Sequence, residues 1–118
     1  MPSKRQRRVA EQIQEVMSEL IQFSARDPRL AGVTVTDAEI DRELMYATLY
    51  VNSLDGEEAR DEVLEALESA AGWLRRELGQ QVRLQHIPEL RFKWDETLAY
   101  GERIDSLLDS LDIPPEDD

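Results

Sequence analysis

The chain has 118 residues and a formal net charge of −12, with 41% hydrophobic and 34% charged residues. That length suits one domain with a single core, and no apolar run approaches the roughly 20 residues of a membrane span. Cysteine is absent and His86 is the lone histidine, which excludes disulfides, thiolate metal centres, cysteine nucleophiles and multi-histidine metal sites. The basic start runs into Val9-Ala10-Glu11-Gln12 with no apolar signal core. Secretion is therefore not expected, and a reducing cytoplasm is.

The first predicted element is a helix over residues 3–24. Val9, Ile13, Val16 and Leu20 form one stripe, Ser3 is placed to cap the start, and Asp27-Pro28 should end it. Gly32 opens a β-rich stretch in which Val33-Thr34-Val35-Thr36 has high strand propensity. After a polar turn at Asp41-Arg42-Glu43, Met45, Ala47, Leu49 and Val51 alternate with Tyr46, Thr48, Tyr50 and Asn52, the pattern of a half-buried strand. The two strands read as a hairpin.

A second helical region spans residues 58–78, with Leu64, Leu67, Ala71, Leu74 and Leu78 on one face. Acids crowd its start and Arg75 and Arg76 stand towards its end, as the helix dipole favours. Ala70-Ala71-Gly72 interrupts the middle, where glycine costs on the order of 1 kcal/mol against alanine. It implies either close packing or a break between two helices. Gly79 is expected to end the region. Beyond it 82–87 is ambiguous, and Pro88 should start a strand in which Leu90, Phe92 and Trp94 alternate with Arg91 and Lys93. A last helix over residues 98–111 and an acidic, disordered tail over 112–118 complete the chain. The economical solution is α+β, one small sheet with helices on one face.

Charge is unevenly distributed along this order. Residues 1–10 carry Lys4, Arg5, Arg7 and Arg8 and no acid. Residues 71–94 carry Arg75, Arg76, Arg83, Arg91 and Lys93 against two acids, whereas 37–70 holds eleven acids against two bases. Twelve of the 14 bases are arginine, whose planar fork suits phosphate. Tyr46, Tyr50 and Trp73 are candidates for base stacking, with core packing as the competing role.

Catalytic patterns are missing. Asp37-x-Glu39-x-Asp41 invites a calcium loop, but Arg42 stands where glycine is needed and Thr48 where a bidentate glutamate is needed. No phosphate-cradling glycine loop occurs, and His86 has no serine in a nucleophile motif near it. No enzyme activity and no cofactor are expected.

The order helix, strand, strand, kinked helix, strand is that of a KH domain of the second topological type. Such domains usually clamp nucleotide backbone with a GxxG loop. Here Ala70-x-Gly72 stands in its place. Further pieces accompany it in order: Arg8-Val9-Ala10, Asp27-Pro28-Arg29-Leu30 with Val33-Thr34, Leu44-x-Tyr46-Ala47 with Tyr50-Val51, Arg75, Leu78-Gly79, and Pro88-Glu89-Leu90-x-Phe92 with Asp95. Together these resemble the ribosome-binding factor A family, over nearly the whole chain.

The resemblance implies a KH-like domain over residues 9–111 that binds the free small (30S) ribosomal subunit and its 16S ribosomal RNA during late maturation, aids RNA processing and supports growth in the cold. Assembly GTPases and small-subunit proteins are the implied neighbours, and a monomer is expected. Two departures stand out: Gln85 replaces a residue that is often basic in the family, and the net charge is unusually negative. The expected RNA contacts are a flexible arm over 1–8 with Lys4, Arg5, Arg7 and Arg8, and a folded surface with Ala70, Gly72, Arg75, Arg76, Arg83, Arg91 and Lys93. The competing reading is a KH-like protein–protein adaptor that uses its acidic surface and binds no RNA.

Overall fold

The computed structural model describes residues 2–96. Its main elements are α1 (Lys4–Glu19), β1 (Val33–Ile40), β2 (Tyr46–Ser53), α2 (Arg60–Gln81) and β3 (Glu89–Trp94). The helix expected over 98–111 and the tail over 112–118 lie outside the described residues.

Residues 4–8, expected both within the helix over 3–24 and as a flexible arm, are the opening turns of α1. The Ser3 hydroxyl accepts from the Gln6 amide while the Gln6 side chain accepts from the Ser3 amide, a reciprocal capping box. Gln6 Nε2 also donates to the Ile40 carbonyl at 3.1 Å, and Gln14 Nε2 reaches the Val35 carbonyl at 3.5 Å. These contacts lay α1 antiparallel to β1 and hold its start on the sheet. Val9, Ala10, Ile13 and Met17 form the buried stripe. One π turn, Leu20–Ser24, then ends the helix, the Ala25 amide donating to the Leu20 carbonyl at 2.8 Å.

The sheet has the order β1-β2-β3, with β1 antiparallel and β3 parallel to the central β2. β1 extends to Ile40, beyond the short strand expected from Val33 to Thr36. A bulge at Thr36 explains how: Val35 pairs with Val51 and Asp37 with Tyr50, so Thr36 is an extra residue. The bulge moves the inward set from Val33 and Val35 to Ala38 and Ile40. Without it, the polar Asp37 and Glu39 would turn inward. Asp41 closes the hairpin, its carboxylate accepting from the Met45 and Tyr46 amides at 2.7 and 2.8 Å.

A parallel neighbour requires a crossover, and α2 supplies it between β2 and β3. Helical structure runs unbroken through Ala70-Ala71-Gly72 and on to Gln81, so no second helix begins there. Gly79, expected to terminate the helix, lies inside it. A Cβ at Gly79 would come 3.3 Å from Ile87 Cγ1, whereas one at Gly72 would meet only Arg76 Nη1 at 3.9 Å. Close packing thus belongs to Gly79, and Gly72 is bare.

Both helices and the inward faces of all three strands share one core. Ile13, Met17, Leu49, Leu67, Leu74 and Leu78 are fully buried in it, each worth about 1.5–3 kcal/mol. Among the described residues nothing packs across the opposite sheet face.

Candidate nucleic-acid interface

The register decides whether the two basic islands can act together. Gln6 is held to Ile40, Ile40 pairs with Ala47, and Ala47 pairs with Leu90. Arg75 Nε donates to the Pro88 carbonyl at 3.1 Å and its Nη2 to the Ile87 carbonyl at 2.6 Å. The start of α1 and the C-terminal half of α2 therefore lie at the same end of the sheet. Lys4, Arg5, Arg7 and Arg8 are exposed there, with no acid in the first turn of α1. Arg76 and Arg83 are exposed as well, Ala70 is half-buried and Gly72 is exposed. Arg75 is partly committed to fixing the loop before β3, though three of its five N–H groups remain.

Arg91 and Lys93 are set apart from this group. They alternate with the inward Leu90, Phe92 and Trp94 and so occupy the sheet face turned away from the helices. Arg91 stacks over Tyr46, with 3.9 Å from Cζ to the ring centroid. The islands expected to line one surface are thus divided between one end of the domain and the face opposite its helices.

Of the three stacking candidates, Tyr46 carries Arg91, and Tyr50 is half-buried with its hydroxyl donating to Glu39 Oε1 at 3.0 Å. Burial, then the Glu39 contact, raises the Tyr50 pKa from its ordinary value. Trp73 is half-buried against the core edge. The acids of the calcium-like run serve the fold: Asp37 accepts the Ala38 amide, Glu39 the Tyr50 hydroxyl, and Asp41 the hairpin amides.

Ion pairing separates the two kinds of region. Among the described residues every salt bridge uses Arg29 or Arg60: Arg29 with Asp27 and Glu65, Arg60 with Glu57 and Glu96. No cation of either island has a carboxylate partner among them. Exposed pairs contribute little stability, but unpaired clustered arginines leave a positive potential available to a polyanion.

Sequence reasoning missed Phe23 and Arg26. Phe23 lies three residues past buried Leu20 and seven past Val16, where an α-helix would return it towards the core. The π turn breaks that spacing, and Phe23 is 76% exposed. It also missed the latch in which Thr36 Oγ1 donates to Asp95 Oδ2 and Asn52 Nδ2 to the Asp95 carbonyl, fixing the exit from β3.

A helix leading into a hairpin, followed by a helical crossover to a third, parallel strand, is the architecture of a KH-like domain, here without its GxxG loop. The profile of the family described as ribosome-binding factor A matches residues 5–108. The chain is 42% identical over 107 residues to the ribosome-binding factor A of Aromatoleum aromaticum, covering 91% of this chain and 84% of that one. It belongs to the ribosome-binding factor A family. The crystal structure of ribosome-binding factor A from Thermus thermophilus superposes with a TM-score of 0.67 at 28% identity, covering 75% of this chain and 93% of that one. A homology model of the Thermus thermophilus factor, fitted into the cryo-electron microscopy map of its complex with 30S, superposes with a TM-score of 0.62 at 29% identity, covering 73% and 90%.

Proposed function

We propose that this chain is a non-catalytic assembly factor that binds the free small ribosomal subunit through 16S ribosomal RNA and supports late maturation and processing of that RNA. Family membership and the 30S complex of the Thermus factor support the reading. The observation that carries it is the set of island cations with no carboxylate partner among the described residues, most of them at one end of the sheet.

Arginine contacts to phosphate would position the protein without reading sequence. Gly72 leaves the middle of α2 without a Cβ, so a backbone phosphate can approach the helix closely beside Arg76. The factor would act by favouring one arrangement of immature RNA over others. The acidic first half of α2 would face away from RNA or meet basic ribosomal proteins. Small-subunit proteins and assembly GTPases are its proposed neighbours, in the cytoplasm, with the factor acting as a monomer.

Co-sedimentation with free small subunits, full ribosomes and free large subunits across a salt series tests this. Selective binding to free small subunits is expected, with log affinity falling against log salt at a slope of about −3 to −4 for five phosphate contacts. Arg76→Glu is expected to weaken it about 10-fold or more, and Arg75→Lys isolates the loop-fixing role of that residue. Binding that is flat in salt, or equal on all particles, would refute the proposal.

A further inference from the structure

Between the end of α1 and the middle of α2 lies a hollow lined by Phe23, Ala25, Arg26, Leu30, Ala70 and Trp73. It is unusual in three ways. Its outer wall is an aromatic ring that the π turn holds 76% exposed. Its inner wall carries a second aromatic, the half-buried indole of Trp73. Its charge is unbalanced: Asp27 also lines it, but both Asp27 oxygens are occupied by Arg29, with Nη2 at 2.7 Å and Nε at 3.1 Å, while Arg29's backbone amide donates to Oδ1 at 3.0 Å. Arg26 is exposed and has no ion pair among the described residues.

We infer that Phe23 and Trp73 form a stacking site for one unpaired nucleobase of RNA, with Arg26 meeting the adjoining phosphate. The inference rests on the RNA reading above and adds base contact to phosphate contact. Aromatic faces accept any base, and an arginine beside them accepts the backbone that every base brings. An apolar protein side chain would fill the same hollow but would leave Arg26 without an acceptor. Charge complementarity therefore selects the nucleotide. Arg76 follows Trp73 by three residues on α2, the spacing of helical neighbours, so one strand stacked on Trp73 can run on to that second cation.

The test measures the affinity of the full chain for isolated small subunits, and for a single-stranded RNA octamer against an abasic octamer of equal charge. The variants are Phe23→Tyr, Phe23→Leu, Phe23→Ala and Arg26→Gln; the exposure of both positions makes folding insensitive to them. Phe23→Leu and Phe23→Ala should weaken binding to subunits and to the base-bearing octamer by about 5- to 100-fold, Phe23→Tyr should not, and the abasic octamer should bind all three alike. Arg26→Gln should lower the salt slope by about one. Retained affinity in Phe23→Ala, with parent binding to subunits intact, overturns the stacking site and leaves the proposed function standing. Rescue by leucine as well as tyrosine also overturns it, in favour of an apolar protein side chain. Failure of the parent to bind subunits at all overturns both.

Discussion

At one end of the sheet lie the start of α1, the β1–β2 turn and the C-terminal half of α2. At the other lie the start of β1, the first half of α2 and the exit of β3. The second end pairs two of its arginines internally. Arg60 and Arg29 each meet two carboxylates, and Asp61 and Glu62 sit at the positive end of the α2 dipole. The first end does the reverse, placing four cations on the opening turns of α1 with no acid in its first turn. That arrangement works against the dipole and gains nothing for the fold. Charge at the acidic end serves stability, and charge at the basic end is left for something outside the chain. A net charge of −12 is then compatible with a polyanionic partner, because the two signs are held apart.

The largest expected effect breaks this comparison directly. Replacing Lys4, Arg5, Arg7 and Arg8 together with glutamine should leave thermal stability unchanged or slightly raised. Affinity for small subunits at moderate salt should fall about 100-fold, and the salt slope by about 3. The matched set Asp61→Asn, Glu62→Gln, Glu65→Gln and Glu68→Gln should do the opposite, costing about 0.3–1 kcal/mol for each first-turn acid while binding holds or tightens. Sedimentation and thermal denaturation on both sets separate the ends. Binding lost with the acidic set and kept with the basic set would hand the contact to the acidic surface, as a protein adaptor requires.

A smaller effect compares two glycines of one helix. Gly72 is exposed in mid-helix, and the nearest described atom to the place a methyl would take is Arg76 Nη1, at 3.9 Å. Gly72→Ala should therefore stabilise by about 0.5–1 kcal/mol, raising the melting midpoint by about 2–4 °C. Gly79→Ala should gain none of this, because its methyl must displace Ile87 at 3.3 Å and the loop that Arg75 holds. Calorimetry on the two variants checks the contrast. A stabilised Gly72→Ala that binds subunits more weakly would also show that the missing Cβ serves contact rather than folding.

The elements themselves were legible in the sequence because their periodicities are clean: the stripe of α1, the alternation of β2, and the greasy and basic faces of β3. The family resemblance was legible as well, since its pieces fall in order along those elements. What sequence could not supply were features created by irregular backbone. Thr36 looks like any strand threonine until the register shows it to be a bulge. Phe23 sits at a core-facing interval until one wide turn swings it out. Ser3 capping and the helix over Lys4 to Arg8 were readable, yet the fixing of that helix start to the sheet depends on a Gln6 hydrogen bond spanning 34 residues. Gly72 and Gly79 exchange roles because Ile87 returns from a loop that no local pattern defines.

The smallest effect concerns pH and sharpens the account of the compensated end. Hydrogen bonds from the Arg29 side chain and its backbone amide hold the Asp27 carboxyl below its ordinary value of 3.8. A group whose pKa is lowered by folding contributes stability that is present above its unfolded value and lost as pH falls through the folded one. Asp27 should thus support the fold at neutral pH, with that support beginning to fall away only below about pH 4. Melting midpoints measured from pH 7 to pH 2 should show a shallower acid limb in Asp27→Asn than in the parent, with the two converging at the acid extreme. Arg76→Gln, from the unpaired end, should leave the limb unchanged. An equally steep limb in Asp27→Asn would mean that the Asp27–Arg29 contact adds nothing to folding, and the contrast between the two ends would then rest on the helix dipole of α2 alone.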